Sequence, residues 1–270
     1  MHATSSVSRF ISLHHTPTPF LLPNAWDAAS ARLLQETGAA AVATSSAALA
    51  WSLGYADGGA LPQDELLAAI RRIARVLQVP LSVDLENGYS DQPELVADLA
   101  LAVANCGVAG INLEDGDGAP DLLVQKIRAI RQALGGRPFF INARCDVWLR
   151  ALAQGQAAVV STKDRLRLYR EAGADGAFLP GLSDLEPLAP VAAFAAELQM
   201  PLNLMVLPNM PSIQALHAAG VQRFSVGPAL FQACYGRLQQ QAQRFVGHGD
   251  TTPLFEQSLD YGQLNGLFSG

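Results

Sequence analysis

Two carboxylates two positions apart, Asp84 and Glu86, close an apolar run that starts after Pro80. Side chains alternate across a strand with a period of two, so the pattern predicts both on one face. Like charges that close repel, and burying them is costly unless a cation or a shared proton compensates. The chain continues Asn87-Gly88-Tyr89, a turn signal, which places the pair where a strand gives way to a loop. A second polar strand end follows at Asn112, Glu114 and Asp115, and a third at Asn142, Arg144 and Asp146. Oxygen ligands such as Asp84, Glu86 and Glu114 suit Mg²⁺, or Mn²⁺, with waters completing the octahedron. The guanidinium of Arg144 suits bidentate capture of a substrate carboxylate or phosphonate, its alternative being a salt bridge to Glu114 or Asp146. The small residues Ser45, Ser46 and Ala47 let backbone N–H groups approach an oxyanion closely. A 2-oxo acid chelated in such a site would have its enolate stabilised, so the set points to cleavage of a bond to C3.

These residues need a scaffold that brings several strand ends together, and the chain supplies a repeating unit. Apolar runs at 20–24, 41–45, 81–86, 110–114, 139–144, 176–180, 202–207 and 223–227 alternate with amphipathic helical patterns. The patterns lie near 28–36, 63–77, 93–105, 122–134, 163–172, 185–198, 212–219 and 229–245. Asp27, Asp91, Thr162 and Ser183 or Asp184 are candidate helix starts. Gly38, Gly107, Gly173 and Gly220 each follow a helix, where the left-handed C′ position favours glycine. Eight strand–helix units, apolar on both strand faces, predict a parallel sheet closed into an α/β (β/α)8 barrel. An open doubly wound sheet would want a Gly-rich phosphate turn after its first strand, and Pro23-Asn24-Ala25-Trp26-Asp27 has none. The division expected is an N-terminal segment 1–19, a catalytic barrel 20–246, and a linker with an apolar helical tail 247–270. That tail must cover its apolar side on its own barrel or on a neighbouring subunit, so a homo-oligomer with exchanged tails is expected.

Composition bounds the function. The 270 residues are half hydrophobic with a net charge of −6, unlike a nucleic-acid binder, which wants a basic face. Cys106, Cys145 and Cys234 show no paired framework, and no apolar run has the ~20 residues of a membrane helix, so a cytoplasmic protein is expected. The two lysines, Lys126 and Lys163, fall on helices, which argues against a Schiff-base aldolase. None of the five histidines sits at a strand end, so a His-ligated zinc site or a His-based triad finds no support. Cys145 should point away from Arg144, and Asn203 is expected to satisfy its barrel neighbours.

Taken in order, the motifs resemble those of the isocitrate lyase/phosphoenolpyruvate mutase superfamily from about residue 20 to 237. They are Pro23-Asn24-Ala25-Trp26-Asp27, Thr44-Ser45-Ser46-Ala47, Leu53-Gly54-Tyr55-Ala56-Asp57, Asp84-Leu85-Glu86-Asn87-Gly88-Tyr89, Gly110-Ile111-Asn112-Leu113-Glu114-Asp115 and Asn142-Ala143-Arg144-Cys145-Asp146. The resemblance implies that Asp84 binds Mg²⁺ directly, with Glu86 and Glu114 binding it directly or through water. It places Asp57 on a mobile acidic loop over the metal and substrate, as a catalytic group with Arg144. Ser45, Ser46, Ala47, Asp84 and Arg144 then form the substrate-binding set. The implied activity is Mg²⁺-dependent cleavage or decarboxylation of a small 2-oxo acid, with P–C chemistry on phosphonopyruvate as the alternative and a non-catalytic acid-binding protein as another. Two departures stand out. The Lys-Lys-Cys-Gly-His loop of the lyases is replaced by Asp115-Gly116-Asp117-Gly118-Ala119-Pro120-Asp121, and Glu86 stands where the family has a second Asp.

Overall fold

Proline 23 divides the first stave of the sheet, because it has no N–H to donate to a ladder. The computed structural model describes residues 2–269. It begins with α1 (His2–Leu13), and the divided stave follows as β1 (Phe20–Leu22) and β2 (Asn24–Ala25). The remaining elements are α2 (Ala28–Glu36), β3 (Val42–Thr44), α3 (Ser46–Ser52), α4 (Gln63–Val76), β4 (Leu81–Asp84), α5 (Pro93–Asn105) and β5 (Gly110–Glu114). Then come α6 (Pro120–Leu134), β6 (Phe140–Arg144), α7 (Gly155–Ala172), β7 (Gly176–Phe178), α8 (Leu185–Glu197), β8 (Leu202–Met205), α9 (Ile213–Ala218) and β9 (Val221–Ser225). Helices α10 (Ala229–His248), α11 (Thr252–Phe255) and α12 (Tyr261–Gly266) end the chain. All pairings are parallel, β1 on β9 at one side and β2 on β3 at the other. The two half-strands are one stave, so the sheet is a (β/α)8 barrel.

Asn24 closes the seam. Its Nδ2 donates to the Thr44 carbonyl at 2.8 Å, and its Oδ1 accepts from the Val226 and Gly227 amides at 2.9 and 3.0 Å. One side chain thus links the exits of β3 and β9 across the stave that Pro23 interrupts.

Strand alternation sorts the rest. Val83, Ile111, Leu113, Ile141 and Leu204 join Ile70, Ile73 and Ile127 of the surrounding helices in one buried layer. Facing inward, Phe20, Leu22, Ala41, Ala43 and Phe140 form a second cluster with Val7 and Phe10 of α1. Helix α1 therefore plugs the N-terminal end of the barrel. Phe10 packs edge-on against Phe20 and Phe140, and the His14 ring stacks on Phe140 with centroids 4.2 Å apart. Each phenyl ring so buried is worth about 1.5–3 kcal/mol. Gly176 makes room for this filling, since a Cβ there would stand 2.8 Å from both the Phe140 ring and Asn142 Oδ1.

Between plug and mouth the interior is polar. Asn112, Asn142, Asn203, Arg223 and Ser225 are all buried there. As expected, Asn203 serves the barrel itself, donating to the Leu204 and Arg223 carbonyls and to Ser225 Oγ. At the other end of the chain the tail touches its own barrel through Arg32 Nε, which donates to the Leu267 carbonyl at 2.9 Å. Among the described residues no helix is long and apolar enough to cross a membrane.

Candidate functional site

The mouth of the barrel is built on the end of β4, and the strand ends there two residues earlier than the sequence predicts. The strand stops at Asp84, and Glu86 and Tyr89 both take positive φ, +50° and +60°. Such conformations in non-glycine residues carry strain and concentrate at functional sites. Gly88, at φ +92°, makes the turn possible, because a Cβ would sit 2.5 Å from Val96 Cγ1. Glu86 is therefore brought to the mouth by the turn and not by strand pleat, which corrects the period-two expectation. Asp84 is held on three sides. Its amide donates to Thr44 Oγ1 at 3.0 Å, its Oδ1 accepts the Glu86 amide at 3.2 Å, and its Oδ2 accepts the Ser46 hydroxyl at 3.2 Å. Glu86 Oε1 accepts the Tyr89 hydroxyl at 2.8 Å, and the Glu86 carbonyl accepts the Glu114 amide at 2.9 Å.

Strands β5 and β6 bring in the opposite charge. Arg144 Nη1 lies 2.5 Å from Glu114 Oε2, while Nε and Nη2 donate to the two oxygens of Asp146 at 2.6 and 3.0 Å. Both ion pairs weighed as the alternative role of Arg144 therefore exist, and part of its donor fork stays free. Arg150 adds a second guanidinium, with Nε 3.2 Å from Asp146 Oδ2 and Nη2 3.7 Å from Glu114 Oε1. Asp146 is itself anchored. Its amide donates to Asp115 Oδ1 at 2.9 Å, and Asp115 Oδ2 takes bonds from Arg165 and the Tyr169 hydroxyl of α7. The aim of Arg144 thus rests on a relay that reaches the helix shell.

Burial raises all three candidate metal carboxyls. Glu114 is pushed up to about 8, chiefly by desolvation, with Arg144 opposing and Asp84, Asp146 and Glu86 adding repulsion. Asp84 and Glu86 are raised for the same first reason, and the Asp57 charge adds to both. Burial alone would lower Arg144, but Glu114, Asp146 and Asp84 outweigh it and hold the guanidinium charged. A divalent cation would favour the ionised form of every carboxyl in such a set at once. Among the described residues no three His, Cys, Asp or Glu side chains converge closely enough to hold an ion unaided. Mg²⁺ commonly binds through one or two carboxylates and keeps several waters. The donor chemistry fits that pattern, since Asp84, Glu86 and Glu114 bring carboxylate oxygens to one mouth.

The other expected residues divide. Asp57 is exposed in a turn, near enough for its charge to be felt at Asp84, Glu86 and Tyr89. Ser45 caps α3 by accepting the Ala48 amide at 3.3 Å, so its hydroxyl is structural, while Ser46 and Ala47 open the first turn of that helix. Cys145 is enclosed in the helix-side core, its thiol pushed up by burial, as its place beside Arg144 predicts. Arg150 and Lys126 of the mouth were not anticipated from the sequence, while Tyr89 read as packing and Asp146 as an ion-pair partner of Arg144. Lys126 lies on α6, yet its Nζ reaches the Asn87 carbonyl at 2.8 Å, and it lines a mouth cavity of about 340 Å³ with Glu86, Glu114 and Arg150. Asp146 had a signal in its spacing of two from Arg144 and Tyr89 in its place at the end of the Asp84 motif, whereas Arg150 and Lys126 had none.

The chain has relatives among known proteins. The family model for phosphoenolpyruvate phosphomutase matches residues 10–246. An uncharacterised protein of Mycobacterium tuberculosis (strain H37Rv) is 36% identical over 261 residues, covering 94% of both chains. An oxaloacetate decarboxylase of Pseudomonas fluorescens is 28% identical, covering 87% of this chain and 84% of its own. Among solved structures, a candidate phosphonomutase of Burkholderia cenocepacia superposes with a TM-score of 0.83 at 35% identity, over 88% of this chain and 99% of its own.

Proposed function

The chain belongs to the phosphoenolpyruvate phosphomutase family, within the isocitrate lyase/phosphoenolpyruvate mutase superfamily, and we propose that it is a Mg²⁺-dependent lyase that cleaves or decarboxylates a small 2-oxo acid. One observation carries the reading: Asp84, Glu86 and Glu114 share the barrel mouth with a tethered, partly free Arg144. Bound Mg²⁺ would supply positive charge against the negative charge that develops on the 2-oxo acid as its bond to C3 breaks. Asp84, with Glu86 and Glu114 behind water, would hold the ion.

The protein's own groups do the remainder. Arg144 offers its unengaged N–H edge to the acid's carboxylate, and the bidentate grip of Asp146 keeps that edge aimed. The Ser46 and Ala47 amides, at the open first turn of α3, receive a second anionic oxygen. Asp57 stands on the loop above as the group that approaches the substrate. The short loop from Asp115 to Asp121 brings no Cys or His, so the reaction is one that needs no such acid or base. Decarboxylation fits this best, since the departing group leaves as CO₂ and the pyruvate carbanion equivalent takes its proton from water. The oxaloacetate decarboxylase relative supports that choice of substrate class.

A panel of oxaloacetate, C3-substituted oxaloacetates and phosphonopyruvate, assayed with and without Mg²⁺, tests the proposal. Turnover of phosphonopyruvate alone would move the assignment to P–C chemistry, and binding of the acids without any product would make the protein an acid-binding module. We also propose that the chain works as a homo-oligomer in which a second copy covers the apolar tail.

A further inference from the structure

We infer that Asn112 is a substrate-contacting residue that offers its side-chain N–H₂ to an anionic oxygen of the acid, and that Arg223 is the positioning residue that holds it in that orientation. The inference rests on the oxyacid reading of the mouth given above.

The register sets Asn112 beside Asp84 on one neighbouring strand and Asn142 on the other. The orientation of its amide follows from partners that can only donate. Arg223 Nη2, which has no acceptor capacity, lies 3.1 Å from Asn112 Oδ1. Asn142 Nδ2 donates to the same oxygen at 2.9 Å and to Asn203 Oδ1 at 3.1 Å. Asn203 in turn has its Nδ2 on the Leu204 and Arg223 backbone carbonyls, which can only accept. A guanidinium at one end and carbonyls at the other therefore fix all three amides. The oxygen of Asn112 faces Arg223 and Asn142, and its nitrogen faces away from them. That nitrogen has no hydrogen-bond partner among the described residues, and it is absent from the fully enclosed unpartnered atoms, so it is not sealed in the interior.

Arg223 makes an unusual support. It is 1% exposed, and its guanidinium lies 5.7 Å from the Phe10 ring of the plug. Its Nε and Nη1 find no partner, and no carboxylate lies within ion-pair distance among the described residues. Burial lowers it to about 9, opposed by the Asp84 charge, so it remains a cation at neutral pH. A charge buried without a counter-ion is costly, and an apolar residue would fill the same space more cheaply. What the guanidinium does there that an apolar residue cannot is hold the Asn112 oxygen down. It also places positive charge beneath the seat of an anionic substrate.

Oxalate, a two-carboxylate mimic of the 2-oxo acid enolate, serves as the probe. Calorimetry would measure Mg²⁺ alone and then oxalate in saturating Mg²⁺ for wild type, Asn112→Ala, Asn112→Asp and Arg223→Met, with the melting temperature of each. Asn112→Asp is the decisive variant. A carboxylate there still accepts from Arg223 and Asn142, and gains charge against the guanidinium, so the fold should melt no lower than wild type. At the mouth, however, it replaces a donor with an anion, and oxalate affinity should fall more than about 100-fold. Asn112→Ala should cost roughly 10- to 100-fold in oxalate affinity, the equivalent of one hydrogen bond to a charged group, with Mg²⁺ affinity within about twofold. Arg223→Met should weaken oxalate, and combining it with Asn112→Ala should add little, because Arg223 acts through Asn112. Wild-type oxalate affinity in folded Asn112→Asp would overturn the inference while leaving the site reading intact. A wild-type protein that binds Mg²⁺ but no oxalate would overturn the site reading and this inference with it.

Discussion

Asp84 and Arg144 are held by different kinds of force, and the difference sets what each substitution does. The Asp84 carboxylate accepts two neutral hydrogen bonds and its backbone amide donates a third, so losing the side chain removes the proposed cation ligand more than a structural tie. Asp84→Ala is expected to abolish the Mg²⁺ binding heat and to lower kcat/KM by at least about 100-fold, the equivalent of several kcal/mol of lost charge stabilisation. An unchanged Mg²⁺ titration would remove Asp84 from the ligand set. Arg144 is a structural cation as well as the proposed substrate group. Arg144→Ala leaves the buried Asp146 and the mostly buried Glu114 without their main partner, and is expected to cost about 3 kcal/mol of folding stability besides raising KM. Urea unfolding beside steady-state kinetics checks both effects, and a KM change with wild-type stability would show that the ion pairs contribute nothing to the fold.

At the scale of the elements, the barrel was legible and the ends of its parts were less so. Helix α2 falls where Asp27 and the trailing Gly38 place it, α5 starts at Pro93 without a cap from Asp91, and β5 coincides with its apolar run. Helix α7 starts at Gly155, so Thr162 is no cap. It lies mid-helix and accepts the Trp148 indole N–H at 2.9 Å, a long-range partner that no local pattern announces. Helix α1 was missed because its serines and β-branched residues are weak helix formers, and Phe10 becomes informative only once there is a barrel to plug. Helix α3 is one short, Ser-capped run of small residues and reads as loop. The residue types of the site were visible in order along the strands. Their pairing was not, since the Glu86 turn depends on Gly88 lying against Val96, and Arg150 and Lys126 arrive from elsewhere in the chain. The tail elements carry an expectation of their own. Val246, Phe255 and Tyr261 are 82%, 77% and 85% exposed, an apolar surface that a second copy would cover. Sedimentation velocity is expected to show a species heavier than the 28.6 kDa chain, and a sole monomer would contradict the proposed assembly.

For the whole molecule, the plug and the mouth impose opposite demands on one barrel. The N-terminal end is sealed by rings and by His14, which burial first, and then the Arg223 charge, holds neutral down to about pH 3. An unfolded histidine titrates near 6.5, so the unfolded chain takes up the proton first as the pH falls. The stability that neutral His14 contributes is therefore complete above about 6.5 and is lost progressively toward 3. Between pH 7 and pH 4 the wild type is expected to lose about 3 kcal/mol more than His14→Phe, which keeps the ring stack and does not titrate. Urea midpoints at the two pH values read this directly, and equal losses in the two proteins would mean that His14 is not kept neutral. The mouth, by contrast, gathers unlike charges around an open cavity. The central claim is that this mouth cleaves a 2-oxo acid with Mg²⁺. Its most direct test is pyruvate formation from oxaloacetate by purified protein, freed of metal with EDTA and then titrated with Mg²⁺. The account expects no turnover above the protein-free rate without the ion and saturable turnover as it is restored; pyruvate formation at the same rate with and without Mg²⁺ would contradict it.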